Sequence, residues 1–158
     1  MPQKEELAIT GMWLRPPRVL VLDDERTIAD TLAQILRLEE CQAVVMYTAA
    51  AALEAALNEA PDLLIADVAL RPDSINGIDL AIYFEGVFPQ ARVLLISGHA
   101  AAANLHNAAS AAGHRFPLLT KPVAPEEIVR VVGEMLDHLR IPDQRRHTPG
   151  SIQKHGSI

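Results

Sequence analysis

Five short apolar runs punctuate the chain, at 18–23 (RVLVLD), 42–47 (QAVVMY), 62–67 (DLLIAD), 91–97 (ARVLLIS) and 115–120 (RFPLLT). Each is nearly unbroken by polar residues, the pattern of strands covered on both faces of a parallel sheet. Between the runs the apolar spacing lengthens to three and four residues, the period of a helix with one buried face. Ile28, Leu32, Ile35 and Leu36 mark the first helix; Leu53, Ala56, Leu57 and Ala60 mark the second, which Thr48 is placed to cap. The third follows the Asn76-Gly77 turn signal and carries Leu80, Ala81 and Phe84. The fourth, 100–112, is alanine-rich and ends at Gly113. The fifth opens on Pro125, Glu126 and Glu127 and runs through Ile128, Val131, Val132, Met135, Leu136 and Leu139. Strict alternation of strand and helix implies right-handed crossovers and a doubly wound α/β domain.

The flanks break the pattern. Residues 1–16 form an N-terminal extension closed by Pro16 and Pro17, with Trp13 and Leu14 available to dock on a domain spanning 17–140. Residues 141–158 have no apolar period and read as a mobile tail. At 158 residues the chain has room for one domain with a real core. No apolar run approaches the length needed to span a bilayer, and MPQKEELAIT lacks the basic start and apolar stretch of a signal peptide. Cys41 is the only cysteine, so no internal disulfide can form. The expectation is a cytoplasmic protein with no membrane association. A formal net charge of −6 argues against direct nucleic-acid binding, which needs a basic face.

Ligands of open parallel sheets bind outside the carboxyl ends of the strands. Strand one ends in Asp23-Asp24, strand three in Asp67, strand four in Ser97 and strand five in Thr120-Lys121-Pro122. Each alone has an ordinary reading: a carboxylate favoured by a helix N-terminus, a turn residue, a solvated lysine. Together, at matching strand ends, they describe one pocket. Clustered carboxylates call for a hard cation, and Mg²⁺ prefers oxygen ligands. A cation with a lysine can neutralise the oxygens of a transferring phosphoryl group, and a carboxylate can act as its acceptor. No GxxxxGK[ST] or GxGxxG marks a nucleotide loop, and the six histidines have no zinc spacing.

VLVLDDE, LLIADVAL, LLISGHA and LLTKPV, in that order, resemble the signatures of response-regulator receiver domains, over residues 17–140. The separations also match: 43 residues from Asp24 to Asp67, 30 to Ser97 and 24 to Lys121. The resemblance implies a (βα)5 flavodoxin-like fold with strand order 2-1-3-4-5. It implies that Asp67 accepts a phosphoryl group from a sensor histidine kinase or phosphotransfer protein. Asp24 is then the direct Mg²⁺ ligand and Asp23 acts through water, with the Ala69 carbonyl completing the shell. Ser97 follows the phosphoryl group, Lys121 pairs with its oxygens, and the Lys121-Pro122 bond is cis. The face of helix four, strand five and helix five is the expected surface for an unidentified downstream protein or a second copy of the chain.

Three departures from the family pattern stand out. VALRPDSIN, between Asp67 and Gly77, is longer than the usual loop, and Arg71 interrupts the common apolar-proline pair. Leu118 stands where many relatives carry a switching Tyr or Phe, and Ala69 and His99 flank the site where relatives tune hydrolysis. The leading expectation is a stand-alone phosphoacceptor switch that is not an enzyme. The rivals are a phosphorylation-independent scaffold and an aspartyl-phosphate phosphatase, the latter disfavoured because Ala69 replaces the acid that such enzymes place two residues beyond the nucleophile.

Overall fold

The computed structural model describes residues 13–70, 75–98 and 100–142, without the side chains of 100–103. Five parallel strands, β1 (Arg18–Leu22), β2 (Gln42–Met46), β3 (Leu63–Asp67), β4 (Arg92–Ser97) and β5 (Leu118–Thr120), lie in the order β2-β1-β3-β4-β5. The helices are α1 (Arg26–Leu38), α2 (Ala49–Asn58), α3 (Gly77–Val87), α4 (Ala100–Ala111) and α5 (Pro125–Met135). This is the flavodoxin-like fold. Successive strand residues face opposite sides, so β1 sends Leu20 and Leu22 into one core layer and Val19 and Val21 into the other. The first layer is closed by α2, α3 and α4, and the second by α1 and α5. β3 lies at the centre and every one of its residues is buried. Each leucine so covered contributes roughly 2 kcal/mol of hydrophobic stabilisation.

The capping residues sit where the sequence puts them. The Thr48 hydroxyl accepts the Ala51 N–H at 3.1 Å, and the Asn76 carboxamide oxygen accepts that of Asp79 at 2.8 Å. Gly113, at φ +94°, ends α4 with the His114 N–H bonded back to the Ala109 carbonyl. α1 ends in the same way, with Cys41 N–H on the Leu36 carbonyl, but Glu40 takes the left-handed position at φ 63°. A side chain there is strained relative to glycine.

Two elements are shorter than the sequence pattern predicts. The fifth apolar run begins at Arg115, yet β5 begins at Leu118: Pro117 has no N–H to offer a neighbour, and its carbonyl alone joins β4, accepting from Leu95 at 2.9 Å. α5 stops at Met135 rather than Leu139, and a 3₁₀ turn covers Asp137–Leu139. Leu136 remains fully buried, so the apolar period continues although the helix does not. The N-terminal segment contacts the chain where the helix gives way to this turn. Leu14 N–H bonds the Leu139 carbonyl at 2.8 Å, Trp13 bridges Arg140 in antiparallel fashion, and the Arg140 guanidinium lies 5.0 Å from the Trp13 ring centre. Trp13 Nε1 also donates to the Glu39 carbonyl at 3.0 Å. Trp13 therefore docks on the domain by its side chain, whereas Leu14 is held by its backbone alone and its side chain is exposed; the expected tail lies outside the described residues from 143 onward.

Asp62, just before β3, fastens this segment. Its carboxylate takes two hydrogen bonds from the Arg15 guanidinium, at 2.6 and 2.7 Å, and one from the Arg18 backbone N–H at 2.7 Å. Partial burial pushes the Asp62 carboxyl up, but the bonds from Arg15 and Arg18 outweigh it and hold it below the ordinary carboxylate value. A depressed carboxylate contributes stability above its unfolded value, and loses it as pH falls through the folded one. Asp62→Asn is therefore expected to lower stability at neutral pH by about 1 kcal/mol, Arg15 being largely exposed. The difference between variant and wild type should close as pH drops below about 4, as urea unfolding at several pH values would show; a gap that stays constant with pH would contradict the ionic account.

Candidate functional site

The carboxyl ends of β1, β3, β4 and β5 converge as the sequence implies. Asp23, Asp67 and Ser97 are the buried polar residues among those described, 2%, 5% and 5% exposed. Asp67 is the last residue of β3 and pairs with Ile96 of β4, so Ser97 stands one position beyond it on the neighbouring strand. Lys121 follows β5, and its backbone N–H bonds the Ser97 carbonyl at 2.8 Å. The Lys121-Pro122 peptide bond is cis.

One ammonium joins two strands' carboxylates. Lys121 Nζ donates to Asp23 Oδ2 at 2.8 Å and to Asp67 Oδ2 at 3.0 Å. The remaining oxygens are engaged by the backbone: Asp23 Oδ1 accepts the Glu25 N–H at 2.9 Å, and Asp67 Oδ1 accepts the Ala69 N–H at 3.0 Å. Burial pushes the Asp23 carboxyl above its ordinary value, only partly countered by the bond from Lys121. Burial also works against the Lys121 ammonium, but its bonds to Asp23 and Asp67 prevail and its pKa is raised. So Lys121 remains charged, and its bond to Asp23 does not outweigh that carboxyl's burial.

The acidic run after β1 is thus not a set of dipole partners for α1. Asp23 is inside the molecule, and the first turn of α1 carries no acidic residue. Glu25, which the sequence presents as one more helix-start carboxylate, is the N-cap position and makes no side-chain cap bond. Its oxygen instead lies 4.0 Å from Lys121 Nζ. Oxygens of Asp23, Glu25 and Asp67 all lie within 4.8 Å of one another, a group able to hold a metal ion. Asp24, expected as the nearer ligand, is half-buried and is not a member of that trio. Three carboxylates suit a hard, oxygen-seeking cation such as Mg²⁺.

A residue that the sequence offered only as a turn signal positions the acceptor end of β3. Gly77 opens α3 with its N–H on the Val68 carbonyl at 3.0 Å. A Cβ built there would meet the Asp67 carbonyl oxygen at 2.1 Å, its carbon at 2.8 Å and Val68 Cα at 2.9 Å. Only glycine lets α3 start this close to the strand end. Ala69 stands two residues beyond Asp67, but residues 71–74 of the lengthened loop, Arg71 among them, lie outside the described residues, as does His99. Leu118, at the position of the usual aromatic switch, is partly buried and packs against the layer containing Ala109 and Phe116.

Known proteins resemble this chain in fold and in sequence. A solved CheY-like receiver domain from Methanospirillum hungatei superposes with a TM-score of 0.69 at 26% identity, covering 78% of this chain and 96% of that one. The nitrogen assimilation regulatory protein NtrX of Azorhizobium caulinodans is 27% identical over 141 residues, 89% of this chain but 30% of that protein. The probable transcriptional regulatory protein TcrX of Mycobacterium tuberculosis is 31% identical over 115 residues, 73% of this chain and 47% of its own length. The chain therefore spans less than half the length of either curated relative. Among the described residues no helix is long and apolar enough to cross a membrane. The response regulator receiver domain family matches residues 19–133, and with that match laid over the 2-1-3-4-5 sheet and its acidic pocket, the chain belongs to the receiver domains of two-component response regulators.

Proposed function

We propose that this domain is a phosphoacceptor switch, with Asp67 taking a phosphoryl group from a histidine kinase or a phosphotransfer protein. The observation that carries the reading is the single ammonium of Lys121, held 2.8 Å from Asp23 and 3.0 Å from Asp67 where both carboxylates are buried. In the transfer an Asp67 oxygen forms the new bond to phosphorus as the bond from phosphorus to the donor's imidazole nitrogen breaks. Lys121 neutralises phosphoryl oxygens at the site it already occupies, and the Ser97 hydroxyl hydrogen-bonds one of them. Asp23, Asp24, Asp67 and the Ala69 carbonyl are assigned to Mg²⁺, with Glu25 added by its place in the acidic trio. When bound, Mg²⁺ supplies positive charge that offsets repulsion between the carboxylates and the incoming phosphoryl group. Output is assigned to the face of α4, β5 and α5, through protein contact or onward phosphotransfer. Leu118 has no ring to turn inward, so the signal is assigned to movement of α4 instead.

The test is incubation with acetyl phosphate and Mg²⁺ followed by intact mass. Wild type is expected to gain one phosphoryl group, and both Asp67→Asn and metal-stripped protein none. Uptake that persists in Asp67→Asn, or that ignores removal of the metal, would reject the assignment.

A further inference from the structure

The end of the sheet opposite Asp67 holds a second polar feature that phosphoryl transfer does not use. A cleft of about 460 Å³ opens at the amino ends of β4 and β5, between the end of α3 and the end of α5. Arg92 and Arg115 both line it, with His138 at its rim and Pro89, Pro117 and Met135 providing apolar wall. β4 and β5 pair from Leu95 and Leu118 onward, and Arg92 and Arg115 precede that paired stretch on the two chains, both in the cleft lining. Leu95 N–H also bonds the Pro117 carbonyl at 2.9 Å. The turn behind Arg115 is also tied down: His106 Nε2 lies 2.7 Å from the Phe116 carbonyl.

Two guanidiniums lining one cleft repel, and a protein normally places a carboxylate between such groups. Neither Arg92 nor Arg115 makes a side-chain hydrogen bond or ion pair among the described residues, whereas Arg15, Arg18 and Arg130 each pair with an acid. Glu85 is the one carboxylate in the lining, and its oxygen lies 3.3 Å from His114 Nδ1. In a chain of formal net charge −6, a concave surface with two uncompensated arginines is a local reversal of sign. Its volume is that of a small-ligand site, and the guanidinium fork matches phosphate and carboxylate oxygens in bidentate geometry.

We infer that this cleft is a binding site for a small organic anion of mononucleotide size. Its phosphate or carboxylate group sits across Arg92 and Arg115, and an apolar ring body lies against Pro89, Pro117 and Met135. Because the cleft shares no side chain with the acidic pocket, this inference stands whether or not Asp67 is phosphorylated.

The experiment is titration of metal-stripped protein in phosphate-free buffer, followed by backbone amide chemical shifts, with AMP and phthalate in separate arms. Saturable shifts at residues 90–93, 115, 116, 118 and 138 are expected in at least one arm, and the arm that responds identifies the oxyanion. Inorganic phosphate, lacking the ring body, should bind at least tenfold more weakly than the responding probe. The double variant Arg92→Gln/Arg115→Gln removes two exposed charges, and its melting temperature should match wild type. It should weaken binding by roughly tenfold or more, the scale of losing charge-assisted hydrogen bonds. Absence of saturable shifts with both AMP and phthalate at millimolar concentration would overturn the inference. So would binding that the double variant leaves unchanged.

Discussion

Gly77→Ala should cripple the acceptor site, although alanine is the better helix former and Gly77 lies in a helix. By propensity alone the change would stabilise α3 by up to about 1 kcal/mol. Sterics reverse the sign. The new methyl would lie 2.1 Å from the Asp67 carbonyl oxygen and 2.9 Å from Val68 Cα, both backbone atoms that no rotamer change can clear. Either α3 retreats or the end of β3 shifts. Overpacking of this kind costs about 1–3 kcal/mol, and the upper end applies here because the obstacle is main chain in the central strand. The melting temperature is expected to fall by roughly 10 °C. Phosphoryl uptake from acetyl phosphate should drop at least tenfold, since the displaced carbonyl belongs to the acceptor residue itself. Gly86 supplies an internal control on the same helix. A Cβ there meets nothing within 4 Å, so Gly86→Ala should be neutral or slightly stabilising, with uptake unchanged. If both variants melt and react like wild type, the close approach at Gly77 does not constrain the site.

That contrast shows where sequence reading works and where it ends. The succession of elements follows from local information: five buried runs, helical spacing between them, and residues such as Thr48 and Asn76 that make the bonds their chemistry suggests; the strand order 2-1-3-4-5 comes with the family resemblance. Convergence of Asp23, Asp67, Ser97 and Lys121 is equally local in origin, because the last residue of a parallel strand always points to the same edge of the sheet. What the pattern does not carry is distance across the fold. Asn76-Gly77 reads as a turn whether or not a carbonyl lies against the glycine. Glu25 reads as a helix-start acid, and only the position of Lys121, far along the chain, draws it into the charged group. α5 gives no local signal to stop at Met135; the bond from Leu14 to the Leu139 carbonyl, between opposite ends of the domain, accompanies the change to a 3₁₀ turn. β5 is the exception, since Pro117 announces its own failure to donate.

Lys121→Met should produce the largest stability change of any single substitution at the site, and its size should depend on the metal. Methionine keeps the length and apolar stem of lysine but removes the ammonium. Asp23 and Asp67, 2% and 5% exposed, would then face each other without their shared partner at 2.8 and 3.0 Å. Removing one member of a buried ionic group costs about 3–5 kcal/mol, because the charges left behind are neither solvated nor paired. Metal-free Lys121→Met is therefore expected to melt at least 10 °C below wild type. Mg²⁺ should recover much of that loss. A cation bound only by the folded state stabilises by mass action, and in wild type it must share the carboxylates with Lys121, whereas in the variant it does not. The rise in melting temperature on adding Mg²⁺ should thus be larger in Lys121→Met than in wild type, and phosphoryl uptake should still be lost, since Mg²⁺ cannot also take the lysine's place against the phosphoryl oxygens. Thermal melts with and without Mg²⁺, run beside the intact-mass assay, separate the two roles. An Mg²⁺-induced rise no larger in the variant than in wild type would mean that the cation and Lys121 do not meet at the same carboxylates, and the metal assignment to Asp23 and Asp67 would have to be abandoned.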